Sequence, residues 1–136
     1  MAEIFFGVTS LLNTIAVTTV AVADFVKGCR KARGDLLGVA QELSTLTKIL
    51  EWLKNDIDSE GDNGISIPDS LTSQITSIVS HCKRTVDKIQ LVLEQHSGSM
   101  GAAKWAVGGK KDVNSLQAEL AAYRGALNLT MEVTTL

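Results

Sequence analysis

With 136 residues, 45% of them apolar and 21% charged, the chain is sized for one hydrophobic core and is too apolar for a disordered tail. A formal net charge of −2 argues against a nucleic-acid binder, and two distant cysteines, Cys29 and Cys82, argue against a disulfide framework or a cysteine-based metal site. A single proline and 4% aromatics leave a helical fold cored by Leu, Ile, Val and Ala.

The first predicted helix covers about residues 2–27. From Ile4 to Ala23 there are twenty residues without a formal charge, followed by Asp24 and the basic cluster Lys27, Arg30, Lys31 and Arg33. A secretory signal would carry its positive charge before the apolar stretch, whereas here Glu3 precedes it and the cations follow. Ile4, Val8, Leu11, Ile15 and Phe25 form a stripe with Phe5, Leu12 and Val22 beside it. The opposite face holds Thr, Ser, Ala and Asn instead of charges. A helix this apolar is expected to be largely enclosed by its neighbours, or to move into lipid.

The second helix, about 35–57, places Leu36, Val39, Leu43, Leu46, Leu50, Leu53 and Ile57 at spacings of 3, 4, 3, 4, 3 and 4. The stretch "NDIDSEGDNGISIPDS" then reads as a loop, closed by Pro68 and a cap at Asp69 or Ser70. Its Asp56, Asp58, Glu60 and Asp62 imitate the start of a calcium loop. Position twelve is Ile67 where a bidentate Glu is needed, so the loop reads as acidic and solvated, with no metal. The third helix, about 69–97, carries the stripe Leu71, Ile75, Ile78, Cys82, Val86, Ile89 and Leu93. "GSMGAAKWAVGGKKD" reads as a second flexible connection with room for one helical turn around Trp105. "VGGKKD" is no phosphate loop, because Lys104 stands five residues before Gly109 where that motif needs Gly, and Lys111 replaces its Ser or Thr. A last helix, about 111–134, resumes with Val113, Leu116, Leu120, Tyr123 and Leu127, and its lack of a stop signal reads as the approach to a further domain.

The order of these pieces is similar to one known family. The opening "MAEIFFGVTSLLNTIAVTTVAVADFVKGCRKARG", then "LLGVAQELSTLTKILEWLK", "IVSHCKRTVDKIQLVL" and "LQAELAAYRGALNLTMEV" resemble the HeLo-like N-terminal domain of fungal STAND (NLR-type) proteins and amyloid-controlled cell-death executioners. The resemblance implies an all-α bundle of four main helices, with a downstream regulatory or nucleotide-binding domain in the full-length protein. It also implies an N-terminal helix held in the bundle until self-association releases it into a membrane. Such a domain would be cytoplasmic at rest and act at the plasma membrane. The alternative is a helical oligomerisation or adaptor module in which that helix stays in place.

The residues bear on this expectation directly. Twenty helical residues match a hydrocarbon core of about 30 Å. Ile4, Phe5, Phe6, Val8, Leu11, Leu12, Ile15, Val17, Val20 and Val22 together favour insertion by about 3–6 kcal/mol. Asn13, Gly7 and the five Ser or Thr residues take back much of that gain, so a lone helix would be marginal. Lys27, Arg30, Lys31 and Arg33 would meet anionic headgroups, each adding about 1 kcal/mol of attraction. Glu3 is a candidate acid for a pore mouth, and Trp105, Lys110 and Lys111 are candidate interfacial contacts, with core packing the competing role for Trp105. Adjacent His81 and Cys82 diverge by about 100° on a helix and cannot pair as base and nucleophile. No enzyme, cofactor or metal is expected.

Overall fold

The computed structural model describes residues 2–58, 69–96 and 105–134. Four helices follow in order: α1 (Ala2–Gly28), α2 (Arg33–Asp58), α3 (Asp69–Gln95) and α4 (Lys110–Thr134). A short 3-10 turn (Arg30–Ala32) joins α1 to α2, and a π-helical turn (Trp105–Gly109) leads into α4. The fold is therefore an all-α four-helix bundle with an apolar N-terminal helix. The sequence period marks these helices to within a few residues. At the junctions, α2 starts two residues earlier, at Arg33, and ends one residue later, at Asp58, than the expected 35–57, and the single helical turn allowed around Trp105 is present at Trp105–Gly109. Residues 59–68, including Pro68 and most of the acidic loop, and residues 97–104 lie outside the described residues.

The helices form two hairpins laid side by side. Gly7 faces Val79 and Thr18 bonds Gln90, so α1 runs parallel to α3. Glu42 meets Arg124 and Asp35 meets Lys110, so α2 runs parallel to α4. The tight α1–α2 turn makes those two antiparallel. In cross-section the order is α1, α3, α4, α2, with α1 and α4 on one diagonal.

The apolar stripes converge on the axis. Leu36, Val39, Leu43, Leu46, Leu50 and Leu53 of α2 are buried, as are Ile75, Cys82, Val86, Ile89 and Leu93 of α3. From α4 come Val113, Leu116, Leu120, Leu127 and Met131. Burial of this kind supplies about 25 cal/mol for each Å² of apolar surface and dominates the folded state. Both cysteines are core residues.

Helix α1 departs from expectation. It is not enclosed: it occupies a corner and buries one face, made of Ile4, Val8, Leu11, Ile15, Thr18 and Val22. Its other face is solvated, with Phe6 69%, Val17 55% and Val20 60% exposed. The reason is geometric. In a bundle of four, every helix touches two neighbours and turns its outer face to solvent, whatever the composition of that face.

Candidate functional site

Three features meet on α1 and at the end of the bundle where it terminates. The first is α1 itself. Ile4–Gly28 is long and apolar enough to cross a membrane, with a mean hydropathy of 1.7 and only 28% of its most apolar window buried. Of the residues expected to enter lipid, Ile4, Val8, Leu11, Ile15 and Val22 face the core. Phe5 and Leu12 are half-buried, and Phe6, Val17 and Val20 face out. Glu3 lies in α1, but its side chain is outside the described residues.

Two of the five hydroxyls on α1 are satisfied within the helix. Thr14 Oγ1 donates to the Ser10 carbonyl at 3.0 Å and Thr19 Oγ1 to the Ile15 carbonyl at 2.8 Å. Such bonds travel with the helix, so they do not oppose its transfer to an apolar medium. Thr18 differs: fully buried, it donates to Gln90 Oε1 of α3 at 3.3 Å, a bond that separating α1 would break. Thr9 Oγ1 is buried with no partner, the one such side-chain atom among the described residues.

The second feature is a basic end. In an up-down bundle of four helices, the α1–α2 and α3–α4 connections lie at the same end. That places Lys27, Arg30, Lys31 and Arg33 together with Lys110 and Lys111, all exposed. These cations outnumber Asp24, Asp35, Glu94 and Asp112 there. Val107 stands among them at 87% exposed. At the opposite end α2 finishes at Asp58 and α3 starts at Asp69, so the bundle carries a charge polarity along its axis. Lys54 of α2 lies 6.0 Å from the Phe5 ring centroid, marking where α1 begins at that acidic end.

The third feature is a junction built around Trp105, which the sequence placed in a flexible connection. The indole is 2% exposed, so in this conformation it is a core residue with no access to an interface. Its Nε1–H donates to Asp35 Oδ2 of α2 at 2.9 Å. Its rings lie 5.1 Å from Phe25 of α1 and 6.0 Å, edge-on, from His96 at the end of α3. Gly109 leaves room for it, since a Cβ there would sit 2.6 Å from Trp105 Cε3. Lys110 Nζ adds an ion pair with Asp35 Oδ1 at 3.6 Å. One side chain thus gathers the ends of all four helices. Nothing periodic signals this, because the carboxylate that accepts the indole N–H lies 70 residues away along the chain.

The remaining polar groups read as structural. Burial pushes the Cys82 thiol up to about 12, so it is not a nucleophile at neutral pH. The His81 ring shares a 2.7 Å hydrogen bond through Nδ1 with the Ser77 carbonyl and packs on Tyr123. Arg124 bonds Glu42 through Nε at 2.6 Å and Nη2 at 3.4 Å, and that carboxylate raises the guanidinium pKa further. Among the described residues no group of three His, Cys, Asp or Glu side chains is placed to hold a metal.

No family model matches the chain, and no solved structure matches it. Over 101 residues it is 31% identical to a tRNA modification GTPase, MnmE, of Campylobacter curvus (strain 525.92). That stretch is 72% of this chain and 22% of the relative, so the chain spans less than a quarter of the length of the protein it is similar to.

Proposed function

We propose that this domain is a membrane-permeabilising module of the HeLo-like, cell-death-inducing kind, cytoplasmic until self-association brings copies together at an anionic plasma membrane. The observation that carries the reading is α1: a peripheral helix whose residues 4–23 form an uncharged stretch of spanning length and whose last turn opens onto a cluster of exposed cations. It acts through that helix and not through catalysis. GTP hydrolysis and tRNA, which belong to the partly similar GTPase, are not assigned to this chain.

In this reading the basic end settles on acidic headgroups first. Helix α1 then pivots at Gly28–Cys29, where the helix is broken by Cys29 (φ −137°, ψ 84°) and where Gly28 has open space around it. Lys27 stays with the headgroups while residues 4–23 enter the bilayer, carrying the intrahelical Thr14 and Thr19 bonds with them. Magnitudes explain why this is conditional. The five buried side chains Ile4, Val8, Leu11, Ile15 and Val22 hold α1 in place with about 8–15 kcal/mol, an upper estimate at about 1.5–3 kcal/mol each. Lipid replaces that burial and adds Phe6, Val17 and Val20. The remaining cost is the core face that α1 leaves behind, and pairing among copies must cover it.

A reversible lock tests the reading. A Cβ at Gly7 would lie 3.5 Å from Val79 Cγ1, so Gly7→Cys with Val79→Cys ties α1 to α3. Oxidised protein should fail to release dye from anionic vesicles, reductant should restore release, and Lys27→Glu, Arg30→Glu, Lys31→Glu and Arg33→Glu together should abolish it. Leakage that is undiminished with α1 locked rules the mechanism out.

A further inference from the structure

The outer face of α1 is laid out symmetrically about one polar residue. Phe6, Asn13 and Val20 are seven residues apart, which on an α-helix places them on one stripe with steps of about 10.5 Å. All three are exposed, and Val17 extends the ridge. Beside it, between α1 and α2, runs an open groove of about 640 Å³ whose α2 wall is built from Ala40, Ser44 and Thr47 with Lys48 and Glu51 at one end. Small side chains along that wall let another helix approach closely.

From this arrangement we infer that two closed bundles pair with each other through antiparallel α1 helices, about a two-fold axis passing beside Asn13. The axis sets Phe6 of each copy against Val20 of the other, because both lie the same distance from Asn13. The Asn13 amides meet at the centre, where each offers a donor and an acceptor to the other; a lone Asn in an apolar seam fixes register in this way. The Val17 side chains flank the seam on the side away from that groove. Antiparallel pairing also sets the positive end of each helix dipole against the negative end of the other.

The size of the face suits a second copy. Twenty uncharged residues span about 30 Å, and two adjacent helices span about 20 Å, giving on the order of 600 Å² for each partner. A standard specific interface uses about 800 Å² for each partner, and an isologous contact needs only this single patch. A dimer would cover Phe6, Val17 and Val20 in the absence of membrane. It involves no release of α1, so it stands or falls separately from the permeabilising role.

Sedimentation velocity of the 136-residue chain without lipid, across micromolar concentrations, reads the pairing directly. The protein should sediment as a dimer, and Val17→Lys, at an exposed position, as a monomer of unchanged helical circular dichroism. Oxidation should cross-link Asn13→Cys to itself. It should also join Phe6→Cys to Val20→Cys in a mixture, with neither joining to itself. The unsubstituted protein, whose Cys29 and Cys82 are buried, serves as the uncross-linked control. A monomer throughout, a dimer indifferent to Val17→Lys, or self-joining of Phe6→Cys would overturn the inference. Monomers that bind vesicles through this face would assign it to lipid and overturn it as well.

Discussion

Gly108 and Gly109 are neighbours in one turn, yet an alanine should act on them in opposite directions. At Gly108 an added Cβ meets nothing within 4 Å, and at Gly109 it meets Trp105 Cε3 at 2.6 Å and His96 Cδ2 and Nε2 at 3.1 and 3.2 Å. Those rings have little freedom to yield. The indole is held by Asp35 and packed on Phe25, and His96 Nδ1 lies 2.7 Å from the Val92 carbonyl. Replacing a helical Gly by Ala gains about 0.5–1 kcal/mol from reduced chain entropy. That gain should appear undiminished in Gly108→Ala. In Gly109→Ala overpacking against two held rings costs about 2–3 kcal/mol, the upper part of the usual range, and wins, for a net loss of about 1–2.5 kcal/mol and a Tm several degrees lower. Urea unfolding followed by circular dichroism measures both. Hydrogen exchange should localise the Gly109→Ala effect to the last turn of α1 and the first of α2, through Phe25 and Asp35. If Gly109→Ala is as stable as Gly108→Ala, Trp105 is not the rigid keystone described.

Two further outcomes follow from single groups. Thr9→Val removes the buried unpartnered hydroxyl while keeping the branched shape, and should stabilise the bundle by about 1 kcal/mol in urea unfolding; no gain would mean that Oγ1 finds a partner. For Cys82 the folded thiol is raised from 9.0 to about 12, so its contribution is intact below pH 9 and is lost as the pH rises towards 12. The unfolded chain ionises first, and stability should fall by about 1.4 kcal/mol per pH unit above 9 from this group. Cys82→Ala should be less stable at neutral pH but lack that part of the slope, so equal slopes in the two proteins would refute the assignment.

Local order was decided by the sequence alone. Spacings of three and four marked α2, α3 and α4 and named most of their buried residues, because helical period is a property of successive residues and needs no partner to be read. The uncharged run in α1 and the cations after it are equally local. How much of α1 meets solvent was not local. The spacing of Ile4, Val8, Leu11 and Ile15 named the core face, but the same residues would serve an enclosed helix or a corner one, and packing against α2 and α3 alone left Phe6, Val17 and Val20 exposed. The convergence on Trp105 was also decided by the tertiary structure, since its partners Phe25, Asp35 and His96 come from three other segments of the chain. Periodicity carries no information about aperiodic turns; there, position is set by which helix ends the packed core brings within reach.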